Sequence, residues 1–222
     1  MIGNTNLAPW LLLRICSNPE LAKRIRAETG SFTNARQPAN DFLLPEPPSL
    51  ELDIDGIAHS CPLLKASFYE CLRLDTSSFS VRSICKDVVI TKPRKNLFGA
   101  EQPISFQLNA GEMLAIPWRV HHDSSQEYQF HPERLLVLDK NASGPNINDP
   151  GIAMPLGDGE GVFPGRELFE PLILALVAGF LALWDVEPSE TGRWEVPGHC
   201  PSPNFLTPVE DVKVRLRRRV LP

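Results

Sequence analysis

The most chemically suggestive spacing in the sequence is Glu-x-x-Arg, formed by Glu70 and Arg73. Apolar residues between positions 63 and 74 recur with the period of a helix that buries one face. On a helix, a spacing of three places the carboxylate and the guanidinium on the same face, where they can pair. Alone, this spacing is also typical of an ordinary surface ion pair. A further arginine, Arg134, closes the sequence Phe-His-Pro-Glu-Arg at 130–134.

Side chains that could ligate a metal are present, but they are not arranged as metal sites usually are. His121 and His122 are adjacent, and on an extended chain neighbouring side chains point to opposite faces. The five cysteines are scattered without a Cys-x-x-Cys pair, which argues against zinc: Cys16, Cys61, Cys71, Cys85 and Cys200. No metal site is therefore predicted. An odd number of cysteines without a signal peptide predicts reduced thiols in a cytosolic environment.

Composition argues against nucleic acid as a partner. The net charge is −5 and the pI is near 5.6, whereas nucleic-acid binders present a basic face. Four arginines near the end, Arg215 and 217–219, are too few to define an anion site and indicate a solvated strand end. The uncharged run before Arg14 is shorter than the roughly 20 residues that cross a bilayer. The apolar run Leu172–Leu183 is also short, and it predicts a buried core helix.

The pattern along the chain predicts helices separated by short strands and proline-rich loops. Asn18 is a typical N-cap and Pro19 a typical first helical residue, and that helix is predicted to end near Gly30. The proline-rich residues 31–50 are predicted to form a surface loop. Pro171 falls inside the last helix, where proline costs roughly 3 kcal/mol unless a kink accommodates it. The predicted helices are 3–16, 19–30, 61–74 and 167–184, and the predicted strands are 80–85, 88–90, 113–117 and 212–217.

A glycine-rich stretch supplies the most specific signal. Residues 155–166 read Pro-Leu-Gly-Asp-Gly-Glu-Gly-Val-Phe-Pro-Gly-Arg. This stretch follows the Glu-x-x-Arg sequence, residues 117–123 and the motif at 130–134 along the chain. In this order, the four features resemble the carboxyl-terminal signature of cytochromes P450. The family's haem-binding loop runs Phe-x-x-Gly-x-x-x-Cys-x-Gly. Gly159 and Gly165 fit that pattern, and Phe163 stands where the family has its cysteine. The sequence between these motifs most resembles the branch of the family that contains sterol 7-alpha-hydroxylase, prostacyclin synthase and fungal secondary-metabolite monooxygenases.

The resemblance implies an α+β fold, namely the carboxyl-terminal, haem-loop half of a P450-like domain, mainly helical with small antiparallel sheets. It implies that Glu70, Arg73 and Arg134 form a buried structural triad. It also implies that Arg82 can pair with a haem propionate, and the alternative is that Arg82 is only a charge on a strand face. The family's cysteine thiolate is the proximal haem ligand, and the phenyl ring of Phe163 has no lone pair for iron. No catalytic residue is therefore assigned, and no cofactor is expected although the family binds haem.

The implied domain covers 1–222 as a single truncated P450-like unit. Its parts are the end of the central helix at 3–16, the Glu-x-x-Arg helix at 61–74, a meander at 117–150, a degenerate haem loop at 155–166, the following helix at 167–184 and carboxyl-terminal strands at 185–220. The family's amino-terminal membrane anchor has no counterpart in this sequence, which predicts a cytoplasmic location. Whether Met1 is the true start stays open, because a longer product with an internal Met1 is also consistent with the resemblance.

These features predict a truncated, inactive P450-like protein encoded in a fungal secondary-metabolite biosynthesis cluster. Two alternatives remain. One is an enzyme that uses the remnant cleft to bind a small metabolite and catalyses an isomerisation or cyclisation without iron. The other is a binding module for a cytochrome P450 reductase or for a full-length cytochrome P450.

Overall fold

The structure, a computed structural model, describes residues 7–38, 47–75, 79–94, 103–117, 129–138, 145–147, 165–189, 192–200 and 207–221. The α-helices in these residues are α1 (Leu7–Cys16), α2 (Pro19–Thr29), α3 (Ile54–Ser60), α4 (Pro62–Asp75) and α5 (Arg166–Leu183), and a 3₁₀ helix covers Pro132–Leu135. The strands are β1 (Thr33–Arg36), β2 (Ser49–Leu52), β3 (Phe79–Ser83), β4 (Val88–Lys92), β5 (Ile104–Leu108), β6 (Met113–Pro117), β7 (Leu136–Leu138), β8 (Pro145–Ile147), β9 (Trp184–Pro188), β10 (His199–Cys200), β11 (Thr207–Pro208) and β12 (Val214–Arg218).

Helix α2 begins where the local sequence predicts. Asn18 Oδ1 accepts a hydrogen bond from the backbone N–H of Leu21 at 3.2 Å. Pro19 is the first helical residue, where its missing N–H removes no helical hydrogen bond. The helix ends at Thr29, in agreement with the predicted stop. Helix α4 agrees with its prediction to within one residue at each end.

The expectation of a surface loop at 31–50 is wrong in part. Strands β1 and β2 pair antiparallel there, with Ala35 opposite Leu50. Each strand has only four residues, too few for alternation to stand out in a proline-rich stretch. The hairpin lies on α5, because a Cβ at Gly179 would come within 3.1 Å of the Leu50 side chain. Helix α3 follows and was also not predicted, although Asp53 caps it by accepting the Gly56 N–H at 2.9 Å.

The hydrophobic core is built around α4. Every side chain from Ala66 to Asp75 is buried. Fully buried apolar side chains come from α4, α1 and α5: Leu64, Phe68, Leu72, Leu7, Leu11, Ile15, Leu174 and Leu181. Three charged residues of α4, Glu70, Arg73 and Asp75, therefore lie inside this helical layer rather than on the surface.

The sheets of the described residues are all two-stranded and antiparallel, pairing β1 with β2, β3 with β6, β4 with β5, β7 with β8, β9 with β12 and β10 with β11. Helices with small antiparallel sheets are the α+β class that was expected. Strand β12 is exposed along its length, as predicted for the arginine-rich strand end. Its arginines have partners nonetheless, since Arg217 lies 3.4 Å from Glu187 and the neighbouring Arg219 lies 3.9 Å from Asp185.

Helix α5 is only partly the buried core helix that was expected. Leu174 and Leu181 are fully buried. Three leucines on another face are 67%, 49% and 55% exposed: Leu168, Leu172 and Leu176. An apolar run does not distinguish a helix buried on all sides from one buried on one side. Pro171 lies inside this helix, as predicted. None of the helices in the described ranges is long and apolar enough to cross a membrane.

Candidate functional site

Glu70 is the centre of a buried charge cluster. Arg73, one turn further along α4, donates from Nη2 to Glu70 Oε1 at 2.8 Å and from Nε to Oε2 at 2.9 Å. Arg134 Nε lies 3.2 Å from the same Oε1. The backbone N–H of His131 also donates to Oε1, at 3.1 Å. The structure thus brings the three residues of the predicted triad within hydrogen-bonding distance.

The two arginines of this cluster differ in their exposure to water. The Arg73 side chain is 6% exposed, whereas that of Arg134 is 29% exposed. Arg134 also donates to the carbonyl oxygens of Gln129 and His131 at 3.0 and 3.2 Å. The buried carboxylate therefore joins α4 to the segment that leads into the 3₁₀ helix, and Arg134 stiffens the turn of that segment.

A second buried cluster, centred on Asp75 at the end of α4, was missed by the sequence analysis. Arg14 Nη2 donates to Asp75 Oδ1 at 2.9 Å, and His199 Nε2 lies 2.7 Å from the same oxygen. The Cys71 thiol donates to Oδ2 at 3.2 Å. Burial alone would raise the pKa of Asp75, but the hydrogen bonds from His199 and Arg14 outweigh it and hold the pKa below its ordinary value. The charged carboxylate therefore ties α1, α4 and β10 together.

Aromatic rings connect the two clusters. The His199 ring lies 4.9 Å from the Trp10 ring, tilted by 41°. The guanidinium carbon of Arg14 lies 5.8 Å from the centre of the Trp10 ring and 6.0 Å from that of Phe130, within the range of cation–π attraction. Phe130 directly precedes the residue whose backbone N–H donates to Glu70. The two carboxylates, five residues apart in the carboxyl-terminal half of α4, are therefore linked through these aromatic contacts.

The cysteines of the described residues offer no activated thiolate among their buried members. Burial raises the pKa of Cys16 to about 11 and that of Cys61 to about 12. Burial, followed by a neighbouring carboxylate, raises the pKa of Cys71 well above its ordinary value. Cys85 and Cys200 are exposed and free. Among the residues that the structure describes, no three His, Cys, Asp or Glu side chains are grouped to hold a metal ion.

The Asp75 cluster predicts a pH dependence of stability. A carboxyl whose pKa is lower in the folded than in the unfolded chain contributes stability above its ordinary pKa, near 3.8, and this contribution is lost as the pH falls through the folded value. We expect wild type to be more stable than Asp75→Asn at neutral pH, with the difference narrowing below about pH 4. Urea unfolding at a series of pH values measures this difference in stability.

Asp211→Asn, at an exposed site, serves as the control and should show the same acid dependence of stability as wild type. A difference in stability between wild type and Asp75→Asn that stays constant with pH would contradict the lowered pKa of Asp75.

The other residues singled out from the sequence are Arg82, Phe163, His121 and His122. Arg82 lies exposed on β3, and its Nη1 donates to the carbonyl oxygen of Val81 at 3.2 Å. Arg82 is thus a charge on a strand face here, and its pairing with a haem propionate stays a prediction. Phe163 and residues 155–164 of the glycine-rich stretch lie outside the described residues, as do His121 and His122.

Comparison with known proteins shows which proteins this chain resembles in sequence. No protein-family profile matches the chain. It is 24% identical over 221 residues to the cytochrome P450 monooxygenase nodJ of Hypoxylon pulicicidum, covering 97% of this chain and 41% of that protein. It is 26% identical over 179 residues to the cytochrome P450 monooxygenase poxD of Penicillium oxalicum, covering 79% of this chain and 32% of that protein. The chain thus spans about two fifths or less of the curated relatives it matches.

Solved structures show the same partial coverage. A crystal structure of a cytochrome P450, CYP102L1, superimposes with a TM-score of 0.70 at 21% identity, covering 98% of this chain and 42% of that one. A zebrafish cytochrome P450 solved with abiraterone gives a TM-score of 0.62 at 20% identity, covering 95% and 43%. The fold is therefore that of part of a cytochrome P450. Taken with the fungal relatives, this confirms the resemblance to part of a cytochrome P450 that was read from the motifs.

Proposed function

We propose that this chain is a cytochrome P450-like protein without haem-thiolate catalysis. The observation that carries the proposal is Phe163, which stands at the position of the ligand cysteine. A cysteine thiolate pushes electron density towards iron and favours O–O cleavage, and a phenyl ring has no lone pair to do so. Residues 155–166 also contain no His, Met or Tyr, the other side chains that commonly hold haem iron. The residues of this stretch therefore do not fit a haem iron.

The cysteines elsewhere in the chain support the proposal. Cys16, Cys61 and Cys71 have pKa values raised by burial, so their thiols stay protonated at neutral pH. A protonated thiol in the core is neither a nucleophile nor a metal ligand. Cys85 and Cys200 are far from Phe163 in the sequence, so neither restores the missing ligand within the loop.

The charge cluster around Glu70 supports a structural role for this part of the chain. The Glu70 carboxylate keeps its two arginines, although the ligand position has changed. Removing one partner would leave an uncompensated buried charge, so we expect the fold to need the intact cluster whether or not haem is bound. The curated relatives are fungal monooxygenases, and we extend the proposal to a fungal protein of secondary metabolism.

Restoring the cysteine alone is expected not to restore activity. Phe163→Cys supplies a thiol, but these 222 residues match two fifths or less of the monooxygenase relatives. Substrate positioning is worth roughly 7–11 kcal/mol of a barrier, and it requires both walls of a pocket. We expect no oxygenated product, by mass spectrometry, from wild type or Phe163→Cys supplied with haem, a P450 reductase, NADPH and a panel of apolar substrates.

A haem-only reaction without the protein is the control for that assay. Product above this control from Phe163→Cys would show that this part of the fold contains a working site. Product from the wild-type chain would overturn the proposal itself.

A further inference from the structure

A polar cavity of about 480 Å³ lies where the ends of α2 and α5 meet β1 and the residues that follow β12. Sites for small molecules typically have volumes of roughly 300–1,000 Å³. Two guanidinium groups and several uncharged polar side chains line this cavity: Arg26, Arg219, Thr29, Thr33 and Asn34. None of the described residues that line it is acidic. The chemistry of its walls therefore suits a polar anion.

The two guanidinium groups of the cavity are held in place by the end of α5. Arg26 donates from Nε to the carbonyl oxygen of Leu181 at 3.1 Å and from Nη2 to that of Trp184 at 3.0 Å. Arg219 donates from Nη1 to the carbonyl oxygens of Leu181 and Ala182 at 3.3 and 3.4 Å. Among the described residues, Arg26 Nη1 and Arg219 Nη2 have no hydrogen-bond partner. Their N–H groups are therefore oriented in advance and available to a ligand.

Positive charge is in excess around these guanidinium groups. Arg26, Arg217 and Arg219 all lie within 4 Å of the Asp185 carboxylate, at 2.8, 3.8 and 3.9 Å. Arg217 also lies 3.4 Å from Glu187, so two carboxylates face three arginines. This local excess contrasts with the net charge of −5 of the whole chain. The arginines near the carboxyl end are too few on their own to define an anion site, and the fold adds Arg26 to them.

We propose that this cavity binds a small polar molecule through a phosphate group. A phosphate group carries a charge of about −1.5 to −2 at pH 7 and three strong acceptor oxygens. Arginine binds such oxygens through charge-assisted hydrogen bonds, which the unpartnered N–H groups of Arg26 and Arg219 can supply. The cavity is larger than a phosphate group, and Thr33 and Asn34 of β1 offer polar contacts to the rest of the molecule. The proposal is independent of the proposed lack of haem catalysis.

Isothermal titration calorimetry of the purified chain at low ionic strength tests the proposal with glucose 6-phosphate, inorganic phosphate and glucose. We expect one saturable site for glucose 6-phosphate, weaker binding of inorganic phosphate and none of glucose. Arg219→Gln is expected to lower the affinity for glucose 6-phosphate at least tenfold, the effect of losing a hydrogen bond to a charged group. Arg94→Gln removes the same charge at an exposed position outside the cavity and should bind as wild type does.

A second variant tests the site without removing an arginine. Ala27 is an exposed residue of α2 on the cavity wall, and glutamate is a good helix former. Ala27→Glu should therefore fold, as an unaltered thermal unfolding midpoint would show, and its carboxylate should lower the affinity for glucose 6-phosphate at least tenfold. Gln107→Glu adds the same charge on β5, outside the cavity, and is expected to leave the affinity unchanged.

Three results would each overturn the proposed phosphate site. The first is the absence of saturable binding of glucose 6-phosphate to the wild-type chain. The second is equal weakening by a cavity variant and its matched control, which would indicate a general effect of charge. The third is binding of inorganic phosphate with exclusion of glucose 6-phosphate, which would indicate a site for the free ion. These readouts do not involve haem, so they are separate from the test of the proposed function.

Discussion

Glu70→Ala is expected to lower the free energy of unfolding by about 3–5 kcal/mol, the cost of breaking a buried ion pair by removing one partner. The substitution leaves Arg73, which is 6% exposed, without its bidentate acceptor. It also removes the acceptor of the His131 N–H and one partner of Arg134. Arg134→Ala should cost less, about 1–3 kcal/mol, because that side chain is partly exposed and the carboxylate keeps its other donors. Urea unfolding monitored by circular dichroism measures both.

Glu187→Ala is the matched control for this prediction. Its carboxylate pairs with Arg217 at 3.4 Å, but both side chains are largely exposed, at 44% and 67%. Exposed ion pairs contribute about 0–1 kcal/mol, so the control should change the unfolding free energy little. Equal losses for Glu70→Ala and Glu187→Ala would mean that the Glu70 cluster is not a buried element of the fold.

Phe68→Ala is expected to cost about 3–5 kcal/mol, as large-to-small substitutions of buried aromatic residues do. Phe68 is fully buried on α4, with its ring 5.3 Å from Tyr69 and 6.2 Å from Phe169. Truncation removes these contacts and leaves a cavity between α4 and α5. The lower denaturant midpoint, at an unchanged dependence on denaturant concentration, gives the loss.

Phe106→Ala provides the comparison at the same residue type. Phe106 lies on β5 and is 53% exposed, so its truncation should change stability by less than about 0.5 kcal/mol. If the two phenylalanines cost the same, the core would not be centred on α4, and the placement of Glu70 inside that core would be wrong as well.

The features of α4 that were predictable from sequence are those set by short-range spacing. The apolar period from 63 to 74 defines one buried face, and the spacing of three brings Glu70 and Arg73 together on any helix. The start of α2 was predictable for the same reason, because Asn18 and Pro19 act on their own first turn. The contact of Arg134 with Glu70 was inferred only through family resemblance, since no local rule joins residues so far apart.

The Asp75 cluster was not predictable because its members meet only in the folded chain. Arg14 lies 61 positions and His199 lies 124 positions from Asp75 in the sequence. Two weak signals were present in the sequence: Arg14 interrupts an otherwise apolar helix, and Asp75 directly follows the apolar helix predicted at 61–74. A charge in such a setting needs a partner, but the sequence does not name it. The exposed face of α5 was not predictable from the sequence either. Its leucines lie on both the buried and the exposed side of the helix, so the apolar pattern does not tell the two sides apart.

The central proposal, that this P450-like chain lacks haem-thiolate ligation, is tested most directly by carbon monoxide difference spectroscopy. Purified protein is mixed with haem, reduced with dithionite and exposed to carbon monoxide, with a full-length P450 relative as the positive control. Because Phe163 offers no thiolate, the account predicts no thiolate-type Soret band from this chain while the relative shows one. A thiolate-type band from the wild-type chain, retained after repurification, would contradict it.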